Sequence, residues 1–126
     1  MPRLFFASAR DLPTTERPGA IERSLRGEHL TLRREDLDAR TIVETHKHDD
    51  ERIGMVTRGS IAMVIAGEQR ILTEGDTFIV PAGAAHGIRV LEHGAQVIEA
   101  SRAERPYPPS PPDSHPPDAA RGGRAT

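Results

Sequence analysis

Residues 75–86 read GDTFIVPAGAAH, and this stretch decides how the chain folds. Gly75 and Asp76 form a turn into Thr77–Val80, a short apolar run with the β-branched content of a strand. Pro81 ends that strand, because it has no N–H to give to a ladder. Gly83 permits the positive φ of a tight turn, and the chain re-enters a sheet with His86 at the head of the next strand. Histidine thereby stands where one strand opens, just after a rigid turn.

Upstream lies HKHDDER, residues 46–52. His46 and His48 alternate, so on a strand over Thr41–His48 they leave the same face, roughly 7 Å apart along the backbone. One parity carries Ile42, Glu44, His46 and His48, the other Val43, Thr45 and Lys47. Lys47 favours solvent, so the histidine face is expected to point inward. Neutral imidazole is the commonest metal ligand in proteins. His46, His48 and His86 gathered in a β-barrel would make a mononuclear divalent metal site with positions open to substrate. Fe, Mn and Ni would complete an octahedron, and Zn a tetrahedron.

The rest of the chain agrees with β structure. Short runs recur at Arg3–Ala7, Ile21–Leu25, His29–Arg33, Ile53–Thr57, Ser60–Ala66, Gln69–Leu72, Gly87–Leu91 and Gln96–Ala100, with glycines between many of them. Many short strands at close spacing predict an all-β barrel or sandwich. The one helical signal is REDLDAR, Arg34–Arg40. Met55, Met63, Ile61, Ile65, Phe78, Ile88 and Ile98 are expected to fill the barrel, and Gly54 and Val56 to leave room beside Arg52. His29, His93 and His115 lie in polar contexts and are expected at the surface. Phe5 and Phe6 are too apolar for a free terminus and are expected to pack on a neighbouring subunit.

Composition narrows the classes. The 126 residues suit one domain, and a formal charge of −2 leaves no basic footprint for nucleic acid. With no cysteine, histidine and carboxylate are the strong ligands available. No run approaches a membrane span, and no signal-peptide layout opens the chain, so a cytoplasmic protein is expected. Seven of the 11 prolines fall between Pro106 and Pro117. We therefore divide the chain into a barrel, residues 1–105, and a Pro-rich tail, residues 106–126, expected to be disordered.

The two histidine segments resemble the motifs of the cupin superfamily, G-x5-H-x-H-x3–4-E-x6-G and G-x5-P-x-G-x2-H-x3-N. The second is matched at Gly75, Pro81, Gly83 and His86, with Val90 in place of the Asn. The first is matched at His46, His48 and Gly59, but Arg40 replaces the leading glycine and Arg52 the fourth ligand. The resemblance implies a single-domain cupin, a double-stranded β-helix or jelly-roll barrel, commonly homodimeric. Arginine has donors only and cannot ligate a cation. Three readings of Arg52 stand: it clamps a substrate carboxylate, a one-residue slip lets Glu51 ligate instead, or it pairs with Glu44 beside a weak site.

HKHDDERIGMVTRG, residues 46–59, is also similar to small cupins of the pectin-degradation type, which linearise 4,5-unsaturated uronates. That similarity would put Glu99 on an acid/base position and Arg105 on a carboxylate-binding one. The implied function is a metal-dependent enzyme of isomerase, lyase or tautomerase type, acting on an oxygenated, anionic small molecule. Glu99 or Glu44 would be the base and Arg52 and Arg105 the substrate contacts. A three-histidine Fe(II) dioxygenase and a non-catalytic ligand-binding cupin are the alternatives.

Overall fold

The computed structural model describes residues 5–103. After a 3-10 turn at Ala9–Asp11 come eight strands: β1 (Thr14–Arg17), β2 (Ala20–Arg26), β3 (Leu30–Leu37), β4 (Ile42–His46), β5 (Arg52–Ile65), β6 (Glu68–Thr73), β7 (Thr77–Val80) and β8 (His86–Arg102). All pair antiparallel. The fold is an all-β roll of the kind that the motif resemblance implied.

Two long strands organise it. β5 and β8 pair along their whole length, and each changes neighbours halfway. The first half of β5 lies between β7 and the second half of β8, which β3, β2 and β1 extend in turn. The second half of β5 lies between β6 and the first half of β8, which carries β4 on its other side. One six-strand wing and one four-strand wing thus share β5 and β8. The crossing is irregular: register shifts at Val56/Arg58 and Gly59/Ile61, where residues 91–94 bulge out of β8. Strands that pass between two packed sheets bend at such bulges.

Gly59 makes the bend possible. Its φ is +75°, and a Cβ there would lie 2.0 Å from the carbonyl oxygen of Gly94. The core fills the space between the wings, with Val56, Val97, Ala95, Phe78, Val80, Leu37 and Ala20 from the larger and Ile61, Met63 and Val90 from the smaller. These alternate with outward side chains, as half-buried antiparallel strands require.

Several expectations need correction. Arg34–Arg40 is not helical; β3 runs through Leu37, whose side chain is buried. Its charges persist on a sheet because Asp36 accepts from Gln96 (2.8 Å) and from Arg34 (3.1 Å). Phe5–Ala7 lies in no strand, and Arg3 and Leu4 fall outside the described residues. β1 has no apolar side chain and gave no signal. The separate runs at Ile53–Thr57 and Ser60–Ala66 are one strand, as are those at Gly87–Leu91 and Gln96–Ala100. Met55 lies exposed on the outer face, and the space expected beside Gly54 is taken by the ring of Phe78, 2.4 Å from where a Cβ would sit. His115 and the tail beyond Ala103 lie outside the described residues, while His29 and His93 are exposed as expected. No helix among the described residues is long and apolar enough to cross a membrane.

Candidate metal centre

β4 and β8 deliver the histidines. His46 and His86 are direct cross-strand partners, the first closing β4 and the second opening β8. A bulge between Val43 and His46 shifts the register there. That bulge overturns the simple alternation: Ile42 and Glu44 are exposed and do not share an interior face with His46. His48 lies beyond the end of β4, in the turn that follows. Its carbonyl oxygen accepts the Gly83 N–H at 2.8 Å, so the turn after Pro81 fastens the first histidine segment to the second.

The three rings converge. Centroids lie 4.3 Å apart for His46–His86, 4.7 Å for His46–His48 and 5.0 Å for His48–His86. One ring nitrogen from each falls within 4.8 Å of the others, a spacing that could hold a metal ion. His46 and His86 share a further device. Nδ1 of His46 lies 2.7 Å from the Glu44 carbonyl, and Nδ1 of His86 lies 3.0 Å from the Ala84 carbonyl. A carbonyl only accepts, so both Nδ1 atoms carry the proton and both Nε2 lone pairs are left for a ligand. His86 is buried and His46 open, so the cluster spans the barrel mouth.

Burial and neighbouring charge keep the His48 ring neutral. Burial, followed by the guanidinium of Arg52 and the other two histidines, lowers His48 to a pKa of about 4, with Asp50 opposing. At neutral pH this ring offers a lone pair, as a ligand must. The donor set therefore fits a divalent cation.

Beside it, Arg52 is 6% exposed and bridges two carboxylates. Its Nε donates to Asp50 at 3.3 Å, and its NH1 donates to Glu99 at 3.3 Å. The side chain of Asp50 is nearly enclosed, while its neighbours Asp49 and Glu51 are exposed. Glu51 is not part of the donor group, so the register-slip reading fails. Glu44 is exposed, which removes it as a buried base. Glu99 faces inward from β8, and burial pushes its pKa up against the pull of Arg52.

Sequence reasoning missed the polar lining next to Glu99. Arg33 on β3, across from Glu99, donates to Ser101 at 2.7 Å and pairs with Glu22 at 3.5 Å. Its signal was present in the alternation of Thr31, Arg33, Glu35 and Leu37, which places Arg33 on the same face as the buried Leu37. The hydroxyl of Thr31 on this face is buried and has no hydrogen-bond partner among the described residues. Arg105 lies outside the described residues.

A barrel of this topology with histidines at its mouth defines the cupins, and residues 33–98 match the cupin domain family. The chain belongs to that family. It is 39% identical over 61 residues to the pectin degradation protein KdgF of Dickeya dadantii (strain 3937), a match spanning 48% of this chain and 56% of that protein. The KdgF structure from a Halomonas species superposes with a TM-score of 0.72 at 25% identity, over 79% of this chain and 95% of that one. An RmlC-like cupin from Shewanella frigidimarina NCIMB 400 gives 0.73 at 20% identity, covering 90% and 97%, and so speaks for the fold. Oxalate decarboxylase of Bacillus subtilis, known for its Mn(II) centres, gives 0.70 at 26% identity, over 77% of this chain and 29% of that one.

Proposed function

We propose that this protein is a cytoplasmic, metal-dependent enzyme of isomerase or lyase type, acting on an anionic sugar acid such as a 4,5-unsaturated uronate. The observation that carries the reading is the pairing of a converged three-imidazole cluster with an inward-facing carboxylate, Glu99, held by a buried arginine. The KdgF relatives support the substrate class.

His46, His48 and His86 would hold one divalent ion, Fe, Mn, Ni or Zn, through nitrogen lone pairs already free of protons. When bound, that ion supplies Lewis acidity toward an oxygen of the substrate. Glu99 takes or returns a proton at carbon or oxygen, and its raised pKa brings it toward the range where a carboxyl can do both near neutrality. Arg52 serves as a positioning residue: its NH1 orients the Glu99 carboxylate, and its charge limits the rise in pKa. This replaces its reading as a simple substrate clamp. Arg105 remains our candidate for binding the substrate carboxylate, as the resemblance implies. We read the working unit as a homodimer.

Turnover of an unsaturated galacturonate, followed by loss of the ultraviolet absorbance of its C=C bond, tests the assignment. Glu99→Gln should keep its metal and lose about 10²- to 10⁴-fold in kcat. Arg52→Gln should retain metal too, while the pH profile of kcat shifts upward because Glu99 loses its cationic neighbour. Unchanged kcat in Glu99→Gln would refute the acid/base role. A metal-loaded wild type inert toward uronates would leave a ligand-binding cupin or, if oxygen is consumed, a dioxygenase.

A further inference from the structure

Arg52 stands where the cupin motif has an oxygen ligand, and it is buried beside the histidine cluster. A guanidinium keeps its proton at any working pH, so this position carries a permanent positive charge. Register and bonding hold the charge in place. Arg52 pairs across β5 with Val80, the last residue of β7, and with Ser101 of β8. Its Nε and NH1 donate to Asp50 and Glu99, each at 3.3 Å. Asp50 follows His48 by two residues, and the His48 carbonyl oxygen is itself fastened to Gly83 at 2.8 Å. The guanidinium is thus a fixed neighbour of the donor nitrogens, and its field reaches the His48 ring.

The charges here fall out of balance once a divalent ion enters. The ion and Arg52 bring three positive charges between them. Asp50 and Glu99 return at most two negative ones, and only one while Glu99 holds a proton. Elsewhere on the inner face of the larger wing, Arg17 and Arg33 are matched by Glu22 and Glu35 and leave that surplus unchanged. Glu44, Lys47, Asp49 and Glu51 are exposed, where water and salt screen them. A surplus beside a side chain that is 7% exposed is screened far less. With Glu99 ionised, one singly charged anion would bring the occupied centre to neutrality.

We propose that a divalent metal ion and a monocarboxylate bind this centre cooperatively, and that Arg52 is the residue that couples them. The inference rests on the three-histidine reading and deepens the assignment of an anionic substrate. Arg52 acts here through its charge, because donors on it are already given to Asp50 and Glu99. A carboxylate near the ion feels both positive charges whichever direct contacts hold it, Arg105 among them. A carboxylate or amide side chain at position 52 would instead hand the ion an oxygen and remove the fixed cation. Linkage is reciprocal, so the factor that the carboxylate adds to metal affinity is the factor that the metal adds to carboxylate affinity. The loaded chain therefore favours acidic over neutral sugars, and the metal-free chain binds either weakly.

Zinc affinity of the full, untagged chain, read by competition with a chromophoric chelator, tests the coupling without any turnover. The probes are galacturonate and galactose, which differ in the C6 carboxylate, with sodium chloride added to the galactose arm to match ionic strength. Galacturonate should tighten zinc binding to wild type by about tenfold, and galactose should leave it unchanged. Calorimetry should find zinc tightening galacturonate binding by the same factor. Arg52→Gln should bind zinc more tightly than wild type without any sugar acid and gain little from galacturonate, while Arg52→Lys keeps the dependence. If Arg52→Gln fails to fold, the two sugars on wild type and Arg52→Lys still decide. Zinc affinity unmoved by galacturonate, raised equally by galactose, or raised equally in Arg52→Gln would overturn the coupling and leave the three-histidine site standing. A wild type that takes up no zinc under any of these conditions would overturn both.

Discussion

Arg40 occupies the left-handed region, with φ +64°, at the position where the cupin pattern has glycine. An L side chain there costs roughly 1–2 kcal/mol, partly offset by the extra chain entropy that a glycine loses on folding. Arg40→Gly is therefore expected to stabilise by up to about 1 kcal/mol, read as a rise of a few degrees in Tm. A fall would mean that the arginine side chain does more than its backbone geometry suggests. His48 gives a second expectation. In the metal-free protein its folded pKa is about 4, whereas the unfolded imidazole titrates near 6.5. The unfolded chain therefore binds more protons between these values, and stability present above pH 6.5 is lost as pH falls toward 4. Urea midpoints at pH 7 and pH 5 should differ more for the metal-free wild type than for His48→Gln. Equal differences would show that the ring is not held neutral by its surroundings.

Among the elements, the β5–β6 hairpin and the β5–β8 crossing make opposite demands. Ile65 and Glu68 are cross-strand partners, so Ala66 and Gly67 form a two-residue loop, both at positive φ (49° and 85°). That is the type I′ geometry, which favours Asn before Gly. Ala66→Asn should stabilise by about 0.5–1 kcal/mol in chemical denaturation. Gly59→Ala should do the reverse, since its Cβ would meet backbone at 2.0 Å and cannot be accommodated by a side-chain rotation. A loss of about 3 kcal/mol or outright failure to fold is expected; a stable variant would show that the crossing is looser than described. These elements also mark what could be read from sequence. Pro81, Gly83 and the two histidine runs were legible because each residue has a local physical role. The bulge before His46 was not, since pairing with β8 decides it and no residue in Val43–His46 announces it. Arg34–Asp36 carried a misleading polar pattern, because the groups that stabilise it, Arg23 as an ion pair from β2 and Gln96 as a hydrogen-bond donor from β8, come from other strands. The pairing of Arg52 with Glu99 was hidden for the same reason, since the two lie 47 residues apart.

On the scale of the whole molecule, one division of labour accounts for both chemistry and stability. The apolar layer of Val56, Val97, Ile61, Val90 and Ala95 closes the interior of the roll, while Arg52, Glu99, Arg33 and the histidines gather where the packing is polar. Buried ion pairs stabilise little in themselves, because desolvation opposes them, but losing one partner is costly. The Asp50–Arg52–Glu99 bridge is thus better explained by the geometry it imposes on Glu99 than by stability. The central claim is that three imidazoles are preset to grip one cation, and metal stoichiometry tests it most directly. Elemental analysis of the untagged protein, after titration with Mn, Fe, Ni or Zn and removal of excess, should give one ion per wild-type chain and almost none in His48→Ala or His86→Ala. A wild type that takes up no metal, or variants that retain it equally, would contradict the account.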